Sequence, residues 1–335
     1  MPPQDETQDT LPVTDRRALP NHVAVRAAAR LHLGFLDLNG SLGRRFGSLG
    51  LALDRPATTL SIRRATSLSV IGPEQVRASA HLETLCRHLS LKPDYELVLS
   101  EAILPHAGLG SGTQLALAVA GALRRLEGLG LDIPGDAELL QRGARSGAGS
   151  AIFLHGGLIV DGGHGTRKGV PPVLSRLAFP TSWRILLVID KGMKGVHGED
   201  ERAAFAALPA FETADAGAIC RLVLMQALPA IVENDISQFG AAIREIQTIL
   251  GSYFAPAQGG RYTSAAVGQI MQALEELGAY GMGQSSWGPT GFAFAESETQ
   301  AQHFANQIAK DAERLHLEIM VCQGANSGAM IEVVS

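Results

Sequence analysis

Residues 105–114 read Pro-His-Ala-Gly-Leu-Gly-Ser-Gly-Thr-Gln and run straight into Leu-Ala-Leu-Ala-Val-Ala-Gly-Ala-Leu at 115–123. The second string is strong helix material, and Arg124 and Arg125 stand where the negative end of the helix dipole favours cations. The first string is a glycine-rich entry, Gly108, Gly110 and Gly112, that lets backbone approach a ligand closely. Ser111 and Thr113 are candidates to cap the first amides, and Gln114 opens the helix proper. A helix that starts this way presents several N–H donors to one anionic group, so the stretch predicts a phosphate cradle. The plainer reading is a tight turn that merely starts a buried helix.

Two better-known phosphate loops are excluded. No lysine follows a glycine anywhere in the chain, so the Gly-Lys-Ser/Thr loop is absent, and the three alternating glycines do not make Gly-x-Gly-x-x-Gly. The 335 residues are more than one core usually holds, which predicts two domains or one large unit. A net charge of −5 without a basic stripe argues against nucleic acid as a partner. Cys86, Cys220 and Cys322 form no close pair, which fits a reducing, cytoplasmic setting. Residues 1–21 are polar, acidic and proline-punctuated, and predict a disordered tail. The apolar runs look too short and too glycine-broken to span a bilayer, so no membrane association is expected.

Alternation of apolar and polar residues over 23–33 predicts a strand that gathers Arg26, Arg30 and His32 on one face, with Asp37 at the following turn. Further strands are expected at about 57–63, 95–100, 156–163, 184–189, 292–295, 317–322 and 329–334. Helices are expected at about 74–90, 113–127, 214–251, 262–278 and 297–315. Pro171, Pro172 and Pro180 mark about 165–182 as a boundary, giving domains of 22–175 and 176–335. The mixture predicts an α+β fold.

Three other places carry candidate chemistry. Gly281-Met-Gly-Gln-Ser-Ser-Trp-Gly-Pro289 reads as a loop in which Ser285 and Ser286 can hydrogen-bond a ligand and Trp287 can wall a ring. The segment 191–201 carries Lys191, Lys194, Glu199, Asp200 and Glu201; Glu199 and Glu201 are candidates to hold Mg²⁺ through water, or they belong to an acidic first turn of helix. His106 precedes the phosphate loop. No zinc-type His-Glu-x-x-His and no Gly-x-Ser-x-Gly elbow exists.

Together, the strand carrying Arg26 to Asp37, the loop Pro105–Thr113 and the glycine segment 281–289 resemble the three motifs of the GHMP small-molecule kinase superfamily. The resemblance covers roughly 22–334. It implies a two-domain fold, with an N-terminal domain like part of a ribosomal protein and a ferredoxin-like C-terminal domain. Within the superfamily, Ala29-Arg-Leu-His-Leu-Gly-Phe-Leu-Asp37, Gly108-Leu-Gly-Ser-Gly-Thr-Gln114 and Gly283-Gln-Ser-Ser-Trp-Gly-Pro-Thr290 resemble the β-ribofuranosylaminobenzene 5′-phosphate synthase family. That family condenses phosphoribosyl pyrophosphate with 4-aminobenzoate or 4-hydroxybenzoate, releasing CO₂ and pyrophosphate, on the way to methanopterin-type one-carbon carriers.

The resemblance implies Mg²⁺ and no organic cofactor. It also implies catalytic roles for Arg26 and Asp37, and substrate contacts from Arg30, His32, His106, residues 108 and 110–114, Ser285, Ser286 and Trp287. Relatives are often homodimers. The alternative is an ATP-dependent kinase of the superfamily. Against it stands Arg145-Ser-Gly-Ala-Gly149, where glycine occupies the place of a catalytic aspartate.

Overall fold

The computed structural model describes residues 19–195 and 198–334, so most of the 1–21 tail and His197 lie outside the described residues, as do the side chains of Glu199, Asp200 and Arg202. The first half runs β1 (His22–Asp37), β2 (Phe46–Arg64), β3 (Ser69–Ile71), α1 (Gln75–His88), β4 (Tyr95–Glu101), α2 (Ser111–Leu126), α3 (Ile133–Leu139), α4 (Ala148–His155), β5 (Leu158–Asp161) and β6 (Val173–Leu177). The second runs β7 (Arg184–Asp190), α5 (Gly198–Ala207), α6 (Thr213–Leu222), a π turn at Val223–Ala227, α7 (Leu228–Glu233), α8 (Ile236–Gln258) and α9 (Ala265–Glu276). It ends with β8 (Tyr280–Gln284), β9 (Thr290–Ala295), α10 (Glu298–Arg314), β10 (Leu317–Cys322) and β11 (Met330–Val333).

The first sheet has the order β11-β1-β2-β4-β3, with β5 paired to β2 and β6 paired to β5; the second has the order β10-β7-β9-β8. The boundary expected near residue 175 therefore does not separate two independent units. β6 straddles it, and the last strand returns to pair with the first, Val23 opposite Val333. One continuous apolar core also joins the halves, with Leu31 and Leu33 of β1 packed among Ile185 and Leu187 of β7 and Phe239 of α8. The odd-numbered residues of β1 supply both cores: Val23, Val25 and Ala27 face α1 and α2, and Leu31, Leu33 and Phe35 face the second sheet.

Helix α2 is almost wholly enclosed, as its Ala/Leu run requires. Its C-terminal Arg124 is buried in a bidentate pair with Asp136 of α3, at 2.6 and 2.8 Å. Removing one partner of such a pair strands a buried charge, so Asp136→Ala is expected to lower the unfolding free energy by about 3–5 kcal/mol in urea denaturation.

Three expectations are corrected here. The segment expected to be one helix over 214–251 is broken at Asn234, in the left-handed region (φ 57°), and helix resumes at Ile236 behind Asp235, whose side chain caps Gln238 N at 3.0 Å. Its first part, Thr213–Glu233, has a mean hydropathy of 1.5 and is, by length and composition, apolar enough to cross a membrane. It is longer than the sequence reading allowed, because the π turn carries helix through without a break; Ala216, Ile219 and Ala227 pack into the core while Leu224, Met225 and Val232 face outward. Likewise, residues 280–284 are strand β8 rather than loop, paired with β9.

Candidate active site

The glycine loop and the late glycine segment meet. The Gly108 backbone (φ 81°) packs so closely on the Ser285 carbonyl that a Cβ there would overlap it, and a Cβ on Gly288 would overlap the Ala107 carbonyl. Ser285 is fully buried and bridges three segments: its hydroxyl donates to the Gly108 carbonyl (2.9 Å) and accepts from the His32 amide (3.0 Å). Gln247 of α8 adds a second tie, donating to the Leu33 carbonyl and accepting from the Gln284 amide, both at 2.8 Å. Ser285 thus acts as a joint, while Gln284, Ser286, Trp287 and Gly288 of this segment line the surrounding cavities.

Helix α2 begins at Gly110 (φ 75°), and no side chain caps it, so Ser111 and Thr113 do not play the capping part expected of them. The first amides are left for an anion. Beneath them lies Arg30: its amide donates to the Leu109 carbonyl (3.0 Å), and a Cβ on Gly110 would sit 3.3 Å from its Cβ and 3.4 Å from its Nε. Burial lowers Arg30 to about 10, opposed by the nearby Asp161 and Glu201 carboxylates, which keeps it cationic at neutral pH.

Two further arginines converge on the same turn. A Cβ on Gly112 would meet Arg77 Nη2 at 2.9 Å and Arg142 Nη1 at 3.0 Å, one from α1 and one from the loop after α3. Arg142 is lowered by burial and by the like charge of Arg77, and its Nε is buried with no partner. His81 on α1 is driven down to about 4 by burial and by both guanidinium groups. This is a preformed anion cradle. Its walls, with His106, Ser111, Thr113 and Trp287, enclose a cavity of about 480 Å³.

A second cavity of about 280 Å³ adjoins it, sharing Arg30, Thr113, Arg142, Glu201 and Ser286 as a partition. Its far wall holds His32 and Phe35, whose rings meet edge-on at 4.6 Å. Behind them is an aromatic cluster: Phe205 packs on Phe35 (6.2 Å) and on Trp287 (5.3 Å), and Phe254 lies 4.4 Å from Trp287. Arg145 lies over the Phe205 ring at 5.2 Å and pairs with Glu201.

The remaining sequence candidates fall as follows. Arg26 is not at the cradle. It shares a face of β1 with Arg30 but lies further back along the strand, where its guanidinium donates to the Asp54 carbonyl at 2.6 Å in the stretch of β2 that bulges between the partners of Ala28 and Arg30. Asp37 is likewise away from both cavities, its carboxylate accepting from the amides of Asn39 (2.7 Å) and Gly40 (3.0 Å). Gln114 is buried, donating to the Gly149 carbonyl at 3.1 Å. Glu201 lines both cavities. Arg77, Arg142, Arg145, Phe35, Phe205 and Phe254 were missed, because each stands in an ordinary local pattern and only the fold brings them together.

Among the described residues no three His, Cys, Asp or Glu side chains form a metal cage. Glu201 with the Ser111 and Thr113 hydroxyls suits a hydrated cation that arrives on a phosphate, which needs only one or two protein donors.

Comparison with known proteins fits this geometry. Residues 76–157 match the GHMP kinases N terminal domain and 227–314 the GHMP kinases C terminal. A beta-ribofuranosylphenol 5′-phosphate synthase of Archaeoglobus fulgidus is 34% identical over 329 residues, covering 92% of this chain and 99% of that protein. The chain belongs to this synthase family. A second member, from Methanothermobacter thermautotrophicus, is 28% identical over 92% of this chain and 98% of its own length. The fold of the family is that of the GHMP kinases. A homoserine kinase from Cytophaga hutchinsonii superposes with a TM-score of 0.68 at 17% identity, covering 93% of this chain and 98% of that one. The L. major mevalonate kinase in complex with R-mevalonate gives 0.68 at 15% identity, covering 90% and 96%.

Proposed function

We propose that the chain is a decarboxylating phosphoribosyltransferase, joining phosphoribosyl pyrophosphate to 4-hydroxybenzoate or 4-aminobenzoate with release of CO₂ and pyrophosphate. The observation that carries the reading is the juxtaposition of a three-arginine cradle with an aromatic-walled cavity across one shared partition. The relatives, as ribofuranosylphenol 5′-phosphate synthases, favour the hydroxyl acceptor. They support the same site chemistry.

In this reading the α2 amides, Arg77 and Arg142 bind the pyrophosphate and stabilise the charge that grows on it as its bond to the anomeric carbon breaks. Arg30 holds the partition positive, where the acceptor's carboxylate must lie. Mg²⁺ carried in by the donor would be held by Glu201 and would neutralise further phosphate charge. The aromatic acid lies against Phe35 and His32, with its carboxyl-bearing carbon turned to the ribose. That carbon attacks, and loss of CO₂ restores aromaticity. The Phe205, Phe254 and Trp287 rings exclude water from the electron-poor sugar carbon.

Phosphoryl transfer is the poorer account. Gly149 stands where a kinase aspartate would, without a carboxylate to act as base, and a Cβ there would sit 3.0 Å from Thr113 Cγ2. The test is pyrophosphate release measured with donor and acceptor supplied singly and together, beside ATP with small alcohols. Release that requires both substrates supports the transferase; ADP formation without it supports a kinase.

A further inference from the structure

His32 is 3% exposed, yet its Nε2 has no hydrogen-bond partner. Leaving a buried nitrogen without a partner is unfavourable, so an orphan in a cavity wall marks a place reserved for a ligand. Its position within the site is specific. His32 lines the 280 Å³ cavity and a slot of about 30 Å³ behind it, but it does not line the loop cavity that holds the arginine cradle. An aromatic acid whose carboxyl-bearing carbon faces the partition therefore points its para substituent toward His32 and the slot. Trp287 Nε1, also buried and unpartnered, lines the same slot and can donate to the para oxygen.

We propose that His32 is the proton acceptor for the para hydroxyl (or amine) of the aromatic substrate during attack on the ribose. This rests on the reaction proposed above. As the ring attacks, the para O–H bond breaks and its proton passes to Nε2. The electron pair left on oxygen forms the C=O of a dienone, and the displaced ring pair forms the new C–C bond. The anomeric C–O bond breaks, and its pair leaves with pyrophosphate. The bond to the carboxylate then breaks, CO₂ departs, its pair restores the ring, and the para oxygen regains the proton from Nε2.

A weak base suffices, because the hydroxyl becomes strongly acidic as the ring turns electron-poor. Burial and the Arg30 charge hold the imidazole well below its usual range, so it enters the reaction neutral, with one ring nitrogen unprotonated. The other charged groups on this cavity are Arg30, Arg142, Arg145 and Glu201, and Glu201 is already paired with Arg145.

The experiment compares 4-hydroxybenzoate with 3,5-difluoro-4-hydroxybenzoate, whose hydroxyl is already ionised at neutral pH, in wild-type, His32→Phe and His32→Gln proteins. With 4-hydroxybenzoate, kcat of His32→Phe is expected to fall at least ~100-fold, while KM for phosphoribosyl pyrophosphate holds. With the difluoro acid the same variant should lose less than about tenfold. Equal losses with both acceptors, or none, overturn the assignment. Should either variant fail to fold, wild-type protein carrying ¹⁵N-histidine supplies the second readout. The His32 Nε2 resonance should move on adding 4-hydroxybenzoate with inorganic pyrophosphate and stay fixed with benzoate; an unmoved signal overturns the assignment. A wild-type chain inactive with both acceptors overturns the reaction itself, which the NMR arm separates from a wrongly placed acceptor.

Discussion

Replacing Arg77 and Arg142 together by alanine is expected to raise KM for phosphoribosyl pyrophosphate by roughly 10² to 10⁴-fold while leaving the acceptor's KM within a few-fold. Each guanidinium offers charge-assisted hydrogen bonds to phosphate, worth about 1.5–3 kcal/mol, or about ten- to 150-fold. The two groups converge on Gly112, so their effects are not expected to add cleanly. The sign on stability is opposite. Without an anion, Arg142 is penalised by burial and then by Arg77, and its Nε lacks a partner. The Arg142→Ala variant should therefore melt at the same temperature as the parent or higher, in the absence of substrate. Calorimetric titration of the donor and thermal melts with and without pyrophosphate check both halves. Equal losses for donor and acceptor would place the cradle elsewhere.

The second large effect is Gly108→Ala, expected to lower the unfolding free energy by about 3 kcal/mol and activity by about two orders of magnitude. Alanine must adopt a φ of 81° there and also push its methyl into the Ser285 carbonyl, both on backbone that has no rotamer to move. The damage falls on the contact that holds the two glycine segments together, because the Ser285 hydroxyl bonds the same Gly108 carbonyl and the His32 amide. A shift of this joint displaces the cradle and the aromatic wall relative to each other. Gly217→Ala is the control. With open space around it inside α6, it should be neutral or stabilising by up to about 1 kcal/mol. Urea denaturation of the two variants measures the contrast.

Most of the scaffold was legible because it rests on local periodicity. Strand β1, helices α1, α2, α9 and α10 and strands β4, β7, β9 and β10 fall within a few residues of where alternation and capping put them. Ser297 caps α10 where the expected helix starts, accepting from Gln300 N at 3.2 Å, while the Gln300 side chain accepts from the Glu296 amide at 2.8 Å. The return of β11 to β1 was not legible, since strand pairing across 300 residues leaves no local trace.

The candidate site divides the same way. The glycine loop, Arg30, His32 and Trp287 were read from motifs and do meet. Arg26 and Asp37 were grouped with them by strand periodicity, but Arg26 is held on the Asp54 carbonyl further back along the same face, and Asp37 is turned to the Asn39 amide. Arg77 and Arg142 carried no sequence signal, because a cation on a helix face reads as solvated until another element covers it.

The most direct test follows the acceptor's carboxyl carbon. Carboxyl-labelled 4-hydroxybenzoate, incubated with the full chain, phosphoribosyl pyrophosphate and Mg²⁺, should release labelled CO₂ in step with pyrophosphate, and none when the donor is replaced by ATP. Folded protein that releases no label from 4-hydroxybenzoate or 4-aminobenzoate, or releases it without the donor, would contradict the account.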